Sequence, residues 1–125
     1  RIELDANGAF NVTEFGTVAD PAQFAALYAY SPYHRITDGV AYPAVLVTTG
    51  EYDGRANPAH SRKFAARLQA ASGAARPILL RISTSSGHGI GTSLNEQIIE
   101  DADIYAFLFD QLGITYRSLD AGIVQ

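Results

Sequence analysis

The sequence contains no cysteine, no methionine and no tryptophan, and Lys63 is its single lysine. Without cysteine there is no disulfide framework, no thiolate zinc site and no cysteine nucleophile. The missing methionine, in a chain beginning at Arg1, leads to the expectation that these 125 residues are a piece of a longer translation product. Arg1-Ile2-Glu3-Leu4 also lacks the charged start and apolar core of a signal peptide. No apolar run approaches the roughly 20 residues that a bilayer crossing needs, so no membrane partner is expected. Nine basic against thirteen acidic residues leave a net charge of −4 and no basic stripe. Nucleic acid is therefore not expected as a partner either.

What is present is one compact domain's worth of material, 47% hydrophobic and 18% charged, enough to bury a core. Arginine outnumbers lysine eight to one and there are twenty alanines, as in a GC-rich bacterial source. A soluble protein of the bacterial cytoplasm or periplasm is expected, and the residues do not choose between the two.

Three segments carry helix signals. Asp20-Pro21 places a cap before a first-turn proline, opening a helix through Tyr30 that Ser31-Pro32 stops. Asn57-Pro58 repeats the device ahead of Phe64 and Leu68, and Ser72-Gly73 ends that helix. Ser93-Leu94-Asn95-Glu96 reads as a capping box. Leu94, Ile98, Ala102, Tyr105, Phe109 and Leu112 then share one face before Gly113. Between these helices lie two apolar runs, Ala44–Thr49 after Pro43 and Ile78–Ile82 after Pro77. Continuous hydrophobicity predicts parallel strands covered on both faces. The order helix, strand, helix, strand, helix is an α/β unit. Two strands make a marginal sheet, so further strands are expected upstream of Arg1. Residues 1–19 and 114–125 are weakly patterned and receive no element.

In an open parallel sheet, functional groups collect beyond the carboxyl ends of the strands. Gly50 to Asn57 follows the first strand and Ser83 to Gly91 follows the second. Asp53 in one loop and His88 in the other have the makings of a triad's acid and base. The carboxylate would fix the imidazole tautomer, and the free ring nitrogen would take a serine's proton. Acid before histidine matches the chain order of parallel-sheet hydrolases. No G-x-S-x-G elbow occurs in the sequence, so the serine is expected before Arg1. Plainer readings stand beside this one. Asp53-Gly54 is a common turn pair, His88 suits a glycine-rich turn, and Arg55 reads as a solvated charge. Glu51 is a rival carboxylate that should point elsewhere. His34, His60 and the cluster Tyr28, Tyr30 and Tyr33 read as structural.

Gly87-x-Gly89-x-Gly91 ahead of a helix start also resembles a phosphate-binding turn. The dinucleotide pattern wants glycine where Thr92 or Leu94 stands, and a Walker pattern needs a lysine that is absent there. No cofactor or metal is expected.

Taken together, Tyr30-Ser31-Pro32-Tyr33-His34, Tyr42-Pro43-Ala44-Val45-Leu46, Asp53 to Phe64 and Gly87-His88-Gly89 resemble the prolyl oligopeptidase family of serine peptidases. The resemblance runs from about Asn7 to Gly113 and corresponds to the C-terminal part of that family's catalytic domain. It implies the C-terminal portion of an α/β-hydrolase fold, capped elsewhere in the protein by a β-propeller, which these residues do not contain. It implies that Asp53 is the triad aspartate and His88 the triad histidine. It also implies that Arg55 holds a backbone carbonyl of the bound peptide. Family members often carry another acid between the aspartate and the arginine, and here that position is Gly54. Cleavage of short peptides after proline, through an acyl-enzyme, is implied by the resemblance alone; related members cleave after basic residues. Nucleophile elbow, oxyanion hole and proline pocket all lie outside these residues. The expected partners are a peptide substrate and the missing N-terminal part of the same catalytic domain. A non-enzymatic alternative is an inactive α/β fragment that docks or self-associates through its exposed sheet edge.

Overall fold

The computed structural model describes residues 2–116. Helix α1 spans Gly8–Phe15, α2 Pro21–Tyr30, α3 Pro58–Ala71 and α4 Leu94–Leu112; strands β1 and β2 span Val45–Gly50 and Ile78–Ser83. The strands pair in parallel, in register from Val45 opposite Ile78 to Gly50 opposite Ser83, with α3 as the crossover between them.

The helix ends follow from local chemistry. The Asp20 carboxylate accepts the Gln23 N–H at 2.9 Å, with Pro21 in the first turn. The Asn57 side chain likewise accepts from Ala59 N–H at 2.9 Å, with Pro58 following. Each cap satisfies a donor that the helix itself leaves unpaired. Ser93 caps α4 by accepting the Glu96 N–H, and Gly113 closes it in a left-handed conformation. Only half of the expected capping box forms, because the Glu96 carboxylate turns away to Arg81.

One face of the sheet packs on α3. Ile36, Leu68, Ala71 and Ile78 are buried together, with Tyr42, Val45 and Phe64 against them. The segment before β1 is fastened to the end of α3. Gly39 N–H donates to Ala71 O, and Gly73 N–H to Val40 O, both at 2.8 Å. Side chains alternate along a strand, so Leu79, Arg81 and Ser83 share the opposite face. That face meets α4 through charge. Arg81 reaches Asp103, Glu96 and Glu100.

The apolar stripe expected on α4 is present but does not face the sheet. Leu94 is 70% and Leu112 67% exposed, and no side chain of α4 is buried among the described residues. The strands are covered less than continuous hydrophobicity predicts; Leu79 is exposed. A two-stranded sheet offers too little area to receive both helices.

Residues 2–19 do hold structure, which sequence patterning missed. A 3₁₀ turn spans Ile2–Leu4, and α1 follows. The helix has no side-chain cap at Asn7, and its anchors lie far along the chain. Asp5 accepts from Asn57 Nδ2 and pairs with His60 Nε2 at 2.6 Å, and Asn7 Nδ2 donates to Gly54 O. The reading of the tail as weakly patterned falls, beyond residue 116, outside the described residues. No helix among them is long and apolar enough to cross a membrane.

Candidate active site

Parallel pairing sets the ends of β1 and β2 side by side, so the loops that follow start as neighbours. Backbone bonds then join them: Glu51 N–H donates to Ser83 O at 2.8 Å and Tyr52 N–H to Ser86 O at 3.1 Å. Asp53 sits at a tight turn, its N–H 3.3 Å from Gly50 O. One carboxylate oxygen, Oδ1, accepts the N–H groups of Arg55 at 2.9 Å and Ala56 at 2.7 Å. The turn reading of Asp53 and the acid reading thus describe different oxygens of one side chain. The other oxygen, Oδ2, lies 2.8 Å from His88 Nδ1 across 35 residues.

Asp53 is nearly buried, its side chain 10% exposed, whereas that of His88 is 44% exposed. Burial pushes the Asp53 carboxyl up, but the Ala56 N–H, the His88 ring and the Arg55 N–H together outweigh it. The carboxyl is held below its ordinary range. Asp53 is therefore ionised at neutral pH, and Nδ1 is the ring nitrogen that donates to it. His88 Nε2 makes no hydrogen bond among the described residues. A polar cavity of about 190 Å³ adjoins the pair, lined by Thr48, Thr49, Ser86, Thr92 and Glu100 as well as Asp53 and His88.

The remaining candidates separate cleanly. Glu51 pairs with Arg62 on α3, away from the histidine. Arg55 is exposed, and its guanidinium has no hydrogen bond or ion pair among the described residues. His60 is committed to Asp5. His34 Nδ1 lies 2.8 Å from Ser31 Oγ, and its ring meets Tyr28 at a tilt and Tyr33 edge-on, although both tyrosines stay exposed. Tyr30 is exposed and outside that cluster. Gly89 and Gly91 take positive φ beside His88, shaping its turn. Among the described residues, no group of three or more His, Asp or Glu side chains is placed to hold a metal ion.

Two contributors escaped the sequence reading. The N–H groups of Arg55 and Ala56 carry no side-chain signature, although an Asx turn after Asp53 is the signal that points to them. Gly50 is the other: a β-carbon there would stand 2.3 Å from Gly87 O.

The chain is 41% identical over 102 residues to a prolyl endopeptidase of Elizabethkingia miricola, covering 81% of this chain and 14% of that protein. A solved prolyl endopeptidase structure superposes with a TM-score of 0.86 at 38% identity, covering 92% of this chain and 17% of that one. Prolyl oligopeptidase B of Galerina marginata was solved with peptide substrates as histidine-, serine- and aspartate-to-alanine variants. The first of these superposes at 0.84 with 30% identity, covering 93% of this chain and 16% of that one. The chain thus spans about a seventh of the length of the curated relatives it matches. Its helices and parallel strands are part of the α/β-hydrolase catalytic domain of these neighbours. With the family's sequence pattern matching from residue 4 to residue 115, this chain belongs to the prolyl oligopeptidase family.

Proposed function

We propose that this chain contributes the acid and the base of a serine peptidase, Asp53 and His88, and that the nucleophilic serine comes from outside these 125 residues. The observation that carries the reading is the 2.8 Å hydrogen bond from His88 Nδ1 to Asp53 Oδ2, formed where two parallel strands end. The ionised carboxylate keeps the proton on Nδ1 and leaves the Nε2 lone pair as base. Nε2 takes the proton from the serine hydroxyl as its oxygen attacks the scissile carbonyl. The imidazolium returns that proton to the departing amine, and the same pair deprotonates the water that hydrolyses the acyl-enzyme. Asp53 stabilises the transient imidazolium while remaining ionised itself.

The substrate in this reading is a short peptide cut after proline, following the names of the relatives. Arg55, exposed two residues beyond the acid, is the contact for a backbone carbonyl of that peptide. In the whole protein, Asp53→Asn should lower turnover of a proline-containing fluorogenic peptide by about 10⁴, as loss of the acid does in a comparable triad. His88→Ala should lower it by a similar order. Near-parental turnover in both variants sinks the proposal.

A second reading concerns the chain by itself and rests on the exposed stripe of α4. That stripe, and the β1 edge facing away from β2, are the surfaces on which the rest of the catalytic domain docks. Isolated, the chain is inactive and associates through them.

A further inference from the structure

From the contacts of its guanidinium we infer that Arg81 is a positioning residue for His88: it clamps α4, and through α4 the far leg of the His88 loop, to strand β2. The inference rests on the base role proposed for His88.

The histidine lies in a ten-residue connection between Ser83 and Leu94 that includes glycine at positions 87, 89 and 91. Such a sequence does not stiffen itself. Its near leg is held by backbone bonds to the acid loop, through Ser83 and Ser86. Its far leg is continuous with α4: Gln97 Nε2 donates to Thr92 O at 2.8 Å, and Thr92 N–H turns back to Gly89 O at 3.2 Å. The position of that leg is therefore the position of α4. Yet α4 buries no side chain among the described residues, so within this chain no buried apolar contact holds the face it turns to β2.

Arg81 does. Its side chain is only 13% exposed, with Nε 2.7 Å from Asp103, Nη2 3.2 Å from Glu96 and Nη1 3.8 Å from Glu100. The three acids are four and three residues apart, one face of a helix. They repel one another unless a cation sits among them, and a planar fork of five donors addresses several carboxylates at once where an ammonium does not. Glu100 also lines the cavity beside Asp53 and His88, so the clamp borders the site directly.

The test uses the whole protein and reads three quantities: kcat and KM separately, the labelling rate with a fluorophosphonate, and the downfield proton resonance of the histidine bonded to Asp53. Arg81→Met should lower kcat and labelling by roughly 10²-fold, the scale set by an ångström of misplacement, with KM little changed. It should also broaden or remove the downfield resonance. Arg81→Lys should recover only part of the loss. Should Arg81→Met fail to fold, the double change Glu96→Gln and Asp103→Asn, which loosens the same clamp, should give the same pattern in weaker form. A folded Arg81→Met or double variant with parental kcat and an intact resonance overturns the inference, leaving Arg81 a surface tie. Failure of the underlying reading looks different: there, His88→Ala itself keeps parental turnover.

Discussion

Gly50 closes β1 with its Cα directly against the backbone of Gly87, so that a β-carbon there would lie 2.3 Å from Gly87 O and 2.6 Å from Ser86 O. Both obstacles are backbone, and neither can rotate aside. The contact sets the spacing between the acid loop and the histidine loop. Gly50→Ala should therefore destabilise the fold by about 1–3 kcal/mol, as overpacking does. It should also cost turnover, because the histidine loop has to retreat from Asp53. Gly54→Ala is the control, since nothing lies within 4 Å of its added carbon. Its stability should stay within about 0.5 kcal/mol of the parent. Urea unfolding of the two variants checks both expectations.

Acid should weaken the fold through Asp5 and Asp53. Hydrogen bonds from His60 and Asn57 hold the Asp5 carboxyl below its ordinary range, against a smaller opposing effect of burial. Asp53 is lowered as well, despite burial. A carboxyl with a depressed folded-state pKa binds its proton more readily when unfolded. Its stabilisation is thus complete above the ordinary carboxylate range and is lost as pH falls through the folded value. Stability should hold above about pH 5 and decline below about pH 4. Asp5→Asn and Asp53→Asn should each flatten that decline in chemical denaturation measured between pH 6 and 3. An acid limb as steep as the parent's in both variants would count against these bonds.

Leu68 belongs to the small core on α3 and is almost wholly buried. Leu68→Ala should cost about 2–5 kcal/mol, by lost transfer free energy and the cavity left behind. The chain by itself should behave differently at its surface. With Leu94, Ile98, Tyr105 and Leu112 exposed on α4, light scattering should show an apparent mass that rises with concentration. Replacing Ile98 and Tyr105 with lysine should suppress that rise, while a concentrated parental sample that stays at 13.4 kDa contradicts the docking reading.

Much of this architecture is visible in the residues because its signals are local. Asp20-Pro21, Asn57-Pro58 and Ser93 cap helices where they stand, and two apolar runs after proline are the two strands. Asp53 and His88 are legible because parallel strands bring successive loops together whatever the side chains between. The rest depends on partners remote in sequence. Helix α1 is anchored through Asp5 and Asn7 to residues near 57, and no periodicity announces that. Glu96 fits a capping box on paper, yet its carboxylate turns to the half-buried guanidinium of Arg81, 3.2 Å away, which no local pattern announces. The apolar stripe of α4 is where its spacing predicts, but the face turned to the sheet carries Glu96, Glu100 and Asp103, paired with Arg81. Hydrophobic spacing carries no information about a salt cluster on the other side.

In the proposed mechanism His88, held by Asp53, activates a serine outside this chain. The most direct measurement is fluorophosphonate labelling of the whole protein and of its His88→Ala variant, followed by intact mass and location of the modified residue. One probe per molecule is expected, on a serine outside residues 1–125, attached orders of magnitude more slowly in the variant. Equal labelling rates, or a probe found on a serine within these residues, would contradict it.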